Sequence, residues 1–588
     1  SAPAKIKPWI EVQSPHFRVL TDGGAGGARR VAREFEQIRA VFETAFPAMK
    51  LDTGSPFLIF APMNEASMKS LAPANWKRGS PNVAGFFLTA WEKRFAVIRL
   101  DQDIPGAYQV VYHEYVHSLL HANFRWLPEW LDEGLAEYYG GTRFETSKIY
   151  VGAPTTRVLN LRGQPFIPLD KLIVDHPYVA YKGDETKIDV FYGESWALIH
   201  YFTFEPGMEN GKKVTQFYSK LQQGEDQKKA FIESFGNFED VQKALELYVR
   251  RFTFNSMVMK TPDQIDEKSF QTRKLSEAET AAAIGSFRIW NHDYSEAMQI
   301  TQEGLQEDPK SAELHENMGF LKFSEGQDED AIREFSTAYD LDQQRYLSLF
   351  FKTMMSQNAW SESAANVDEL YNELLQVIKI NPRFAEVFVR VAFVDIRKNE
   401  QTAALAVSRK AEQLEPSRAG YHLLSGKILL QMGKQADAAD FAKYVADRWR
   451  GPDRDEAVEL WNAVPAEKRS TDILMIEIPG NSQVAEGTVK STVCGGKTAP
   501  ATLTIESNGK KQSFDASGPH MIGYSDTLWY GADHFSSCHH LEGLRAIVRY
   551  EPGKDPQFVG KVTSLELRED LPRPAATPDR AAKDATAH

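Results

Sequence analysis

Three successive patterns along the 588 residues predict a multidomain α+β chain. Short apolar runs set around one long helical stripe come first, repeating helix pairs follow, and alternating β-type segments close it. The expected architecture is a mixed α/β domain over residues 1–262, an all-α repeat solenoid over 278–452, a small all-β barrel or sandwich over 469–568 and a disordered tail over 569–588. With 42% apolar and 25% charged residues the composition is that of an ordinary globular chain, and it excludes a wholly disordered, collagenous or coiled-coil protein. At about 150 residues per domain the length alone predicts roughly four domains.

In the first domain, residues 9–12 and 16–20 read as short strands, and the glycines between Gly23 and Gly27 as a flexible turn. Val31, Phe35, Ile38, Val41 and Phe42 then recur at helical spacing and predict a helix over 28–46. Residues 56–60 form a compact apolar run expected as a buried strand, and 85–88 with 94–100 read as a hairpin. The second hairpin strand is expected to offer an edge to an extended peptide. From about 106 to 260 the pattern is mostly helical, with an irregular insertion between Gly140 and Asp189.

The middle region carries a repeat. Gly285, Ala297 and Pro309 are answered by Gly319, Ala331 and Gln343, each 34 residues on (319 − 285), and Pro382 by Pro416, again 34 (416 − 382). The step from Gln343 to Pro382 is 39 (382 − 343), so one repeat contains a longer turn. Small residues recurring at this period, where paired helices cross, resemble the tetratricopeptide repeat, with the best copy running from Ala312 through Gly319 and Ala331 to Ala338. About five repeats are expected. A single helix pair cannot bury its apolar face alone, so such pairs stack. Residues 451–468 read as a charged connection. Beyond it 487–494, 501–505, 545–550 and 558–562 alternate as strands, and Asn508-Gly509 marks a hairpin turn.

The sharpest chemical signal is His113-Glu114-Tyr115-Val116-His117. On a helix, positions i and i+4 share a face, so both imidazoles can reach one metal ion while Glu114 stands beside them as a base. Composition alone yields this pattern in about one such chain in fifty, so its context decides. Zinc needs a third protein ligand and an open position. Glu133 lies sixteen residues past His117 (133 − 117), within Trp130-Leu131-Asp132-Glu133-Gly134-Leu135-Ala136-Glu137-Tyr138, a helix that Pro128 starts well. Glu137, one turn later, is placed to accept a hydrogen bond from a ligating imidazole. The competing reading is two helix histidines bonded to backbone or solvent, beside a solvated acidic face.

These two segments resemble the gluzincin metallopeptidases, especially small bacterial relatives of the large zinc aminopeptidases. The resemblance spans residues from about 9 to 261. It implies a gluzincin-like metallopeptidase fold, zinc held by His113, His117 and Glu133, Glu114 as general base, and hydrolysis of a peptide bond in a peptide or protein substrate. It also implies that Tyr192, in Phe191-Tyr192-Gly193-Glu194-Ser195-Trp196, donates to the oxyanion of the tetrahedral intermediate, where the residue pattern alone leaves a plain core aromatic open. The third-ligand spacing is shorter than in the large aminopeptidases, and no Gly-Ala-Met-Glu-Asn segment is present. His121 continues the helix face and reads as a surface or supporting histidine; His534, His539 and His540 match no zinc spacing and read as loop residues.

The net charge of −13 argues against nucleic acid as a partner, since phosphate binding needs positive potential. No apolar run is long enough for a transmembrane segment. The chain begins Ser1-Ala2-Pro3-Ala4 without methionine, which reads as a removed secretory signal and a secreted or periplasmic protein. Cys494 and Cys538 would form one local bridge in an oxidising compartment and remain two buried thiols in cytosol. Two functions follow: a zinc metallopeptidase whose repeat and β-domains bind substrate or a protein partner, or a scaffold built on the solenoid that holds zinc without cleaving.

Overall fold

The computed structural model describes residues 6–52, 56–73, 84–90, 92–102, 108–174, 184–356, 366–473, 483–494, 500–517, 521–524, 538–553 and 555–571. The chain divides into two compact units, Ser1–Thr280 and Ala281–His588.

In the first unit the order is β1 (Ile10–Gln13), β2 (Arg18–Thr21), α1 (Ala25–Ala45), β3 (Phe57–Phe60), α2 (Glu65–Leu71), β4 (Gly85–Thr89), β5 (Arg94–Ile98), α3 (Gln109–His121) and α4 (Glu129–Gly140). Then come β6 (Arg143–Phe144), β7 (Lys148–Val151), α5 (Thr156–Leu161), α6 (Leu169–Val174), α7 (Glu185–Phe204), α8 (Lys212–Gln222), α9 (Gln227–Phe235), α10 (Phe238–Val249), β8 (Met257–Lys260) and β9 (Gln271–Lys274). Six strands form one mixed sheet in the order β4-β5-β3-β2-β1-β9. Val12, Val19, Ile59, Ala96 and Ile98 join Val31, Phe35, Ile38 and Phe42 of α1 and Val111, Tyr115 and Val116 of α3 in one core. α1 begins at Ala25, inside the expected glycine turn, because Ala25 already packs on that core and extends the apolar stripe by a turn.

The strand expected as a peptide-pairing edge is not one. β5 is bonded on both sides, antiparallel to β4 and parallel to β3, with Ala96 opposite both Phe87 and Ile59. Among the described residues the open edge belongs to β4. The opposite end is covered by β9, which pairs with β1 through Val12 and Thr272 and carries the unit past residue 262. Most of the irregular insertion is ordered: β6, β7 and β8 make a second, three-stranded sheet, and α5 and α6 follow the hairpin; residues 175–183 lie outside the described set.

The second unit contains the repeats, whose first helix spans the division. The helices pair as α11 (Glu277–Trp290) with α12 (Tyr294–Glu307), α13 (Ala312–Ser324) with α14 (Asp328–Leu341), α15 (Tyr346–Ser356) with α16 (Val367–Ile380), α17 (Ala385–Arg397) with α18 (Gln401–Leu414), and α19 (Ala419–Gln431) with α20 (Gln435–Ala446). Successive pairs from α13 start 34 (346 − 312), 39 (385 − 346) and 34 (419 − 385) residues apart, and the longer step falls between α15 and α16. The second helix of a pair buries one stripe, as Ala404, Ser408 and Ala411 do in α18, whereas α17 is buried at every position from Ala385 to Ile396. A helix buried on all sides has a neighbour on all sides. By the stacking and period of its helix pairs, this part of the chain is a helical-repeat solenoid.

Residues 451–468 are not a mere connection. Pro452 opens α21 (Pro452–Ala463), which buries Ala457, Leu460 and Trp461 against α19 and α20 and caps the solenoid. Beyond it lie β10 (Gln483–Cys494), β11 (Pro500–Ser507), β12 (Lys510–Asp515), β13 (Met521–Tyr524), β14 (Arg545–Pro552) and β15 (Gly560–Arg568). The antiparallel run β12-β11-β10-β14-β15 closes by a parallel contact of β12 with β15, giving a five-stranded barrel with β13 added outside β15. Asn508 and Gly509 take positive φ (50° and 76°) in the tight β11–β12 turn, as a two-residue hairpin requires. Cys494 and Cys538 are joined in a disulfide, with Cα atoms 5.7 Å apart.

The barrel rests on the solenoid through charged pairs. Arg568 bonds Glu459 at 2.7 Å, Arg549 bonds Asp455 at 3.0 Å, and His540 bonds Asp328 at 2.8 Å while stacking on Phe323. The expected disordered tail begins too early at 569: Glu569 bonds Arg390 of α17 at 2.9 Å, because a buried guanidinium needs a carboxylate partner. His534 and residues 572–588 lie outside the described set.

Candidate metal centre

α3 presents its two faces to different surroundings. Tyr115, between the two histidines in sequence, points into an aromatic cluster with Phe17, Phe35 and Phe57 at ring-centroid distances of 5.4–5.9 Å. That anchor turns His113 and His117 toward α4. α4 is held by Trp130, fully buried against Phe202, Phe217 and Phe231. It lies flush on α7 because Gly134 faces the Ser195 carbonyl, where a Cβ would come within 2.6 Å.

The result is a triangle of donor atoms. His113 Nε2 and His117 Nε2 are 3.0 Å apart, and Glu133 Oε2 is 3.2 Å from each. Donors 2.0–2.1 Å from a tetrahedral zinc ion are about 3.3 Å apart, so these three atoms fit one face of such a tetrahedron. Nitrogen and carboxylate donors together are the set zinc prefers. Residues expected to act together are therefore brought together.

Carboxylates stand behind both imidazoles. Glu137, 1% exposed, places Oε1 3.2 Å from His113 Nδ1. Asp132 places Oδ1 3.1 Å from His117 Nδ1 and Oδ2 2.8 Å from Nε2 of His121, which is half exposed and takes the supporting place expected of it. Glu137 is itself held by Gln109 Nε2 at 3.1 Å and by Arg157, which bonds the same oxygen that faces His113. Asp132, Gln109 and Arg157 were not singled out in the sequence. Gln109 sits four residues before His113, on its helix face, and that spacing was an available signal; nothing in the pattern marked Arg157.

The electrostatics of the centre favour a cation. Burial works against protonation of His113, but Glu133 and Glu137 outweigh it and push it up to about 8. Burial opposes charge on His117 too, yet Asp132 and Glu133 raise it to about 11. Burial alone would raise Glu133 and Asp132, and the facing imidazoles hold both below the ordinary carboxylate range. A metal ion at this place substitutes for those protons.

Glu114, next to His113 along α3, is half-buried, and among the described residues its carboxylate has no hydrogen-bond or ion-pair partner. Tyr192 lies two turns into α7, which Asp184 caps by accepting from the Lys187 amide. Its ring is 5.8 Å from that of His113, edge to face, and 4.6 Å from the Arg157 guanidinium. His539 and His540 belong to the barrel and its contact with the solenoid.

Among the described residues, no helix is long and apolar enough to cross a membrane. No protein-family model matches the chain, and no curated protein matches it. Solved structures similar to part of it include a thermophilic TPR protein in Thermus thermophilus, at 16% identity over 32% of this chain and 98% of that one, with a TM-score of 0.26. MamA 41-end from Desulfovibrio magneticus RS-1 matches at 15% identity over 32% and 97%, TM-score 0.25, and Pseudomonas aeruginosa pilF at 17% over 31% and 88%, TM-score 0.27.

Proposed function

We propose that the first unit is a zinc-dependent peptidase of the gluzincin kind. The observation that carries this reading is the donor triangle of His113, His117 and Glu133 with carboxylates behind both imidazoles. Zinc, when bound, would supply a Lewis acid for the scissile carbonyl and acidify the water beside it. Glu114 takes a proton from the attacking water and returns it to the leaving amine. Tyr192 donates its phenolic O–H toward the oxygen on which negative charge develops. β4, the open edge next to α3, offers main-chain groups to an extended peptide, in place of β5. The Cys494–Cys538 bridge supports a secreted or periplasmic location, and the net charge of −13 speaks against nucleic acid as a partner.

The solenoid favours a second reading, an interaction scaffold in which the zinc centre is structural and the repeats hold a protein partner. Metal analysis of the purified chain and of Glu114→Gln, with a mixed peptide library as substrate, separates the two. One zinc per chain in both proteins and a fall in cleavage of about 10²–10⁴-fold in the variant support the peptidase. Stoichiometric zinc with no cleavage by either protein leaves the scaffold, and no zinc in either removes both.

A further inference from the structure

Arg157 sits where three helices meet. α5 carries it, α4 brings Glu137, and α7 brings Asp189 and Tyr192. Its Nη1 bonds Glu137 Oε1, its Nε bonds Asp189 Oδ1 at 3.0 Å, and its guanidinium lies 4.6 Å from the Tyr192 ring centroid. Gly193, the residue after Tyr192, gives the two helices a close approach: a Cβ there would lie 3.3 Å from the Arg157 carbonyl oxygen.

We infer that Arg157 is a positioning residue for the metal centre, holding Glu137 against His113 and the Tyr192 ring over the site with one guanidinium; this rests on reading the centre as a zinc site. Glu137 is 1% exposed, and the oxygens of a carboxylate so deeply buried need a partner cation or several donors. Gln109 supplies one neutral donor and Arg157 the charge. Held there, Glu137 keeps Oε1 3.2 Å from His113 Nδ1, on the side of the ring opposite the Nε2 that faces the metal position. The same guanidinium lies over the Tyr192 ring, a cation–π contact in which arginine and lysine are not interchangeable. Arg157 is thus the link between a ligand and the proposed oxyanion donor, which otherwise belong to different helices. Its side chain is 33% exposed, so it is held by these partners rather than by burial alone.

The test measures zinc affinity by chelator competition, and kcat and KM at saturating zinc, for the wild type, Arg157→Gln, Arg157→Lys and Tyr192→Phe in the full chain, with circular dichroism of each as a check on folding. Arg157→Gln is expected to bind zinc about 10–100-fold more weakly and, when loaded, to lose kcat with KM little changed. Arg157→Lys restores most of the zinc affinity through its charge but not kcat. Tyr192→Phe loses kcat and keeps wild-type zinc affinity. Wild-type affinity and kcat in Arg157→Gln overturn the inference while leaving the zinc reading intact. A rise in KM alone also overturns it, by making Arg157 a substrate contact. If the wild type takes up no zinc, the reading of the site falls and the inference with it; if it binds zinc without cleaving, the affinity series still decides the Glu137 half.

Discussion

Asp132 stands behind the His117 imidazole in a 3.1 Å hydrogen bond, and Glu137 stands behind that of His113 at 3.2 Å. In the proposed zinc site each would face the ring nitrogen pointing away from the metal position, and partners of this kind are typically worth about 10–100-fold in metal affinity. Asp132→Ala is therefore expected to weaken zinc binding by about that factor. Asp132→Asn, which still accepts from His117 Nδ1, loses less, and His121→Ala, which removes only the exposed partner, loses little. Equal chelator-competition curves for Asp132→Ala and wild type would sink this assignment. At this scale the sequence was legible where chemistry follows helical period: His113, His117 and Glu133 are one turn or one facing helix apart. Asp132 was harder, since its neighbour Glu133 was already assigned to the candidate metal position and adjacent helix positions diverge by about 100°. It reaches His117 from the side. Arg157 was invisible because its role comes from the meeting of α4, α5 and α7.

Among the elements, α21 illustrates how a helix hides in a charged stretch. Pro452 at its start and Ala457, Leu460 and Trp461 at helical spacing were there to be read, but five charged residues among the twelve obscured them: Asp453, Arg454, Asp455, Glu456 and Glu459. Their structural use is what the sequence could not announce, because Asp455 and Glu459 are bonded by Arg549 and Arg568, about a hundred residues further on. The strands of the barrel were legible from alternation and from the Asn508-Gly509 turn, whereas closure of the sheet depends on β12 meeting β15. The disulfide ties the start of the segment bearing His540 to the end of β10, across 44 residues. Loop-closure entropy for such a span is worth about 4 kcal/mol. Cys494→Ser with Cys538→Ser, or reduction of the wild type, is expected to lower the melting temperature of the barrel. It should also raise hydrogen exchange around Asp328, the partner of His540. Unchanged melting and exchange after full reduction would remove the bridge from the account of that contact.

On the scale of the second unit as a whole, the 34-residue period made the solenoid legible, but nothing local revealed that the chain's own barrel lies against it. That contact is ionic and partly buried. Glu386 is completely buried, bonded by Arg390 at 2.7 Å, with Glu569 sharing the same guanidinium and Tyr421 Oη 3.4 Å away. Burial pushes Glu386 up to about 7 despite the pull of Arg390, and pushes Glu569 in the same direction. Both are thus more readily protonated in the folded chain than in the unfolded one, where Glu386 would titrate near 4.5. Between about pH 4.5 and 7 the folded state holds the extra proton, so stability declines as pH rises through that window and is greatest on its acid side. At about 1.4 kcal/mol for each tenfold change in proton affinity, Glu386 contributes on the order of 3 kcal/mol to this slope. Glu412 has the opposite shift, held low by His422 against the effect of burial, but its contribution is lost only as pH falls below its unfolded value of 4.5. Glu386→Gln, neutral at every pH, is expected to flatten the pH dependence of hydrogen exchange in α17, corrected for intrinsic rates, and to be the more protected form at pH 7. If wild type and variant run parallel from pH 4.5 to 7, the buried carboxylates do not control the contact between barrel and solenoid.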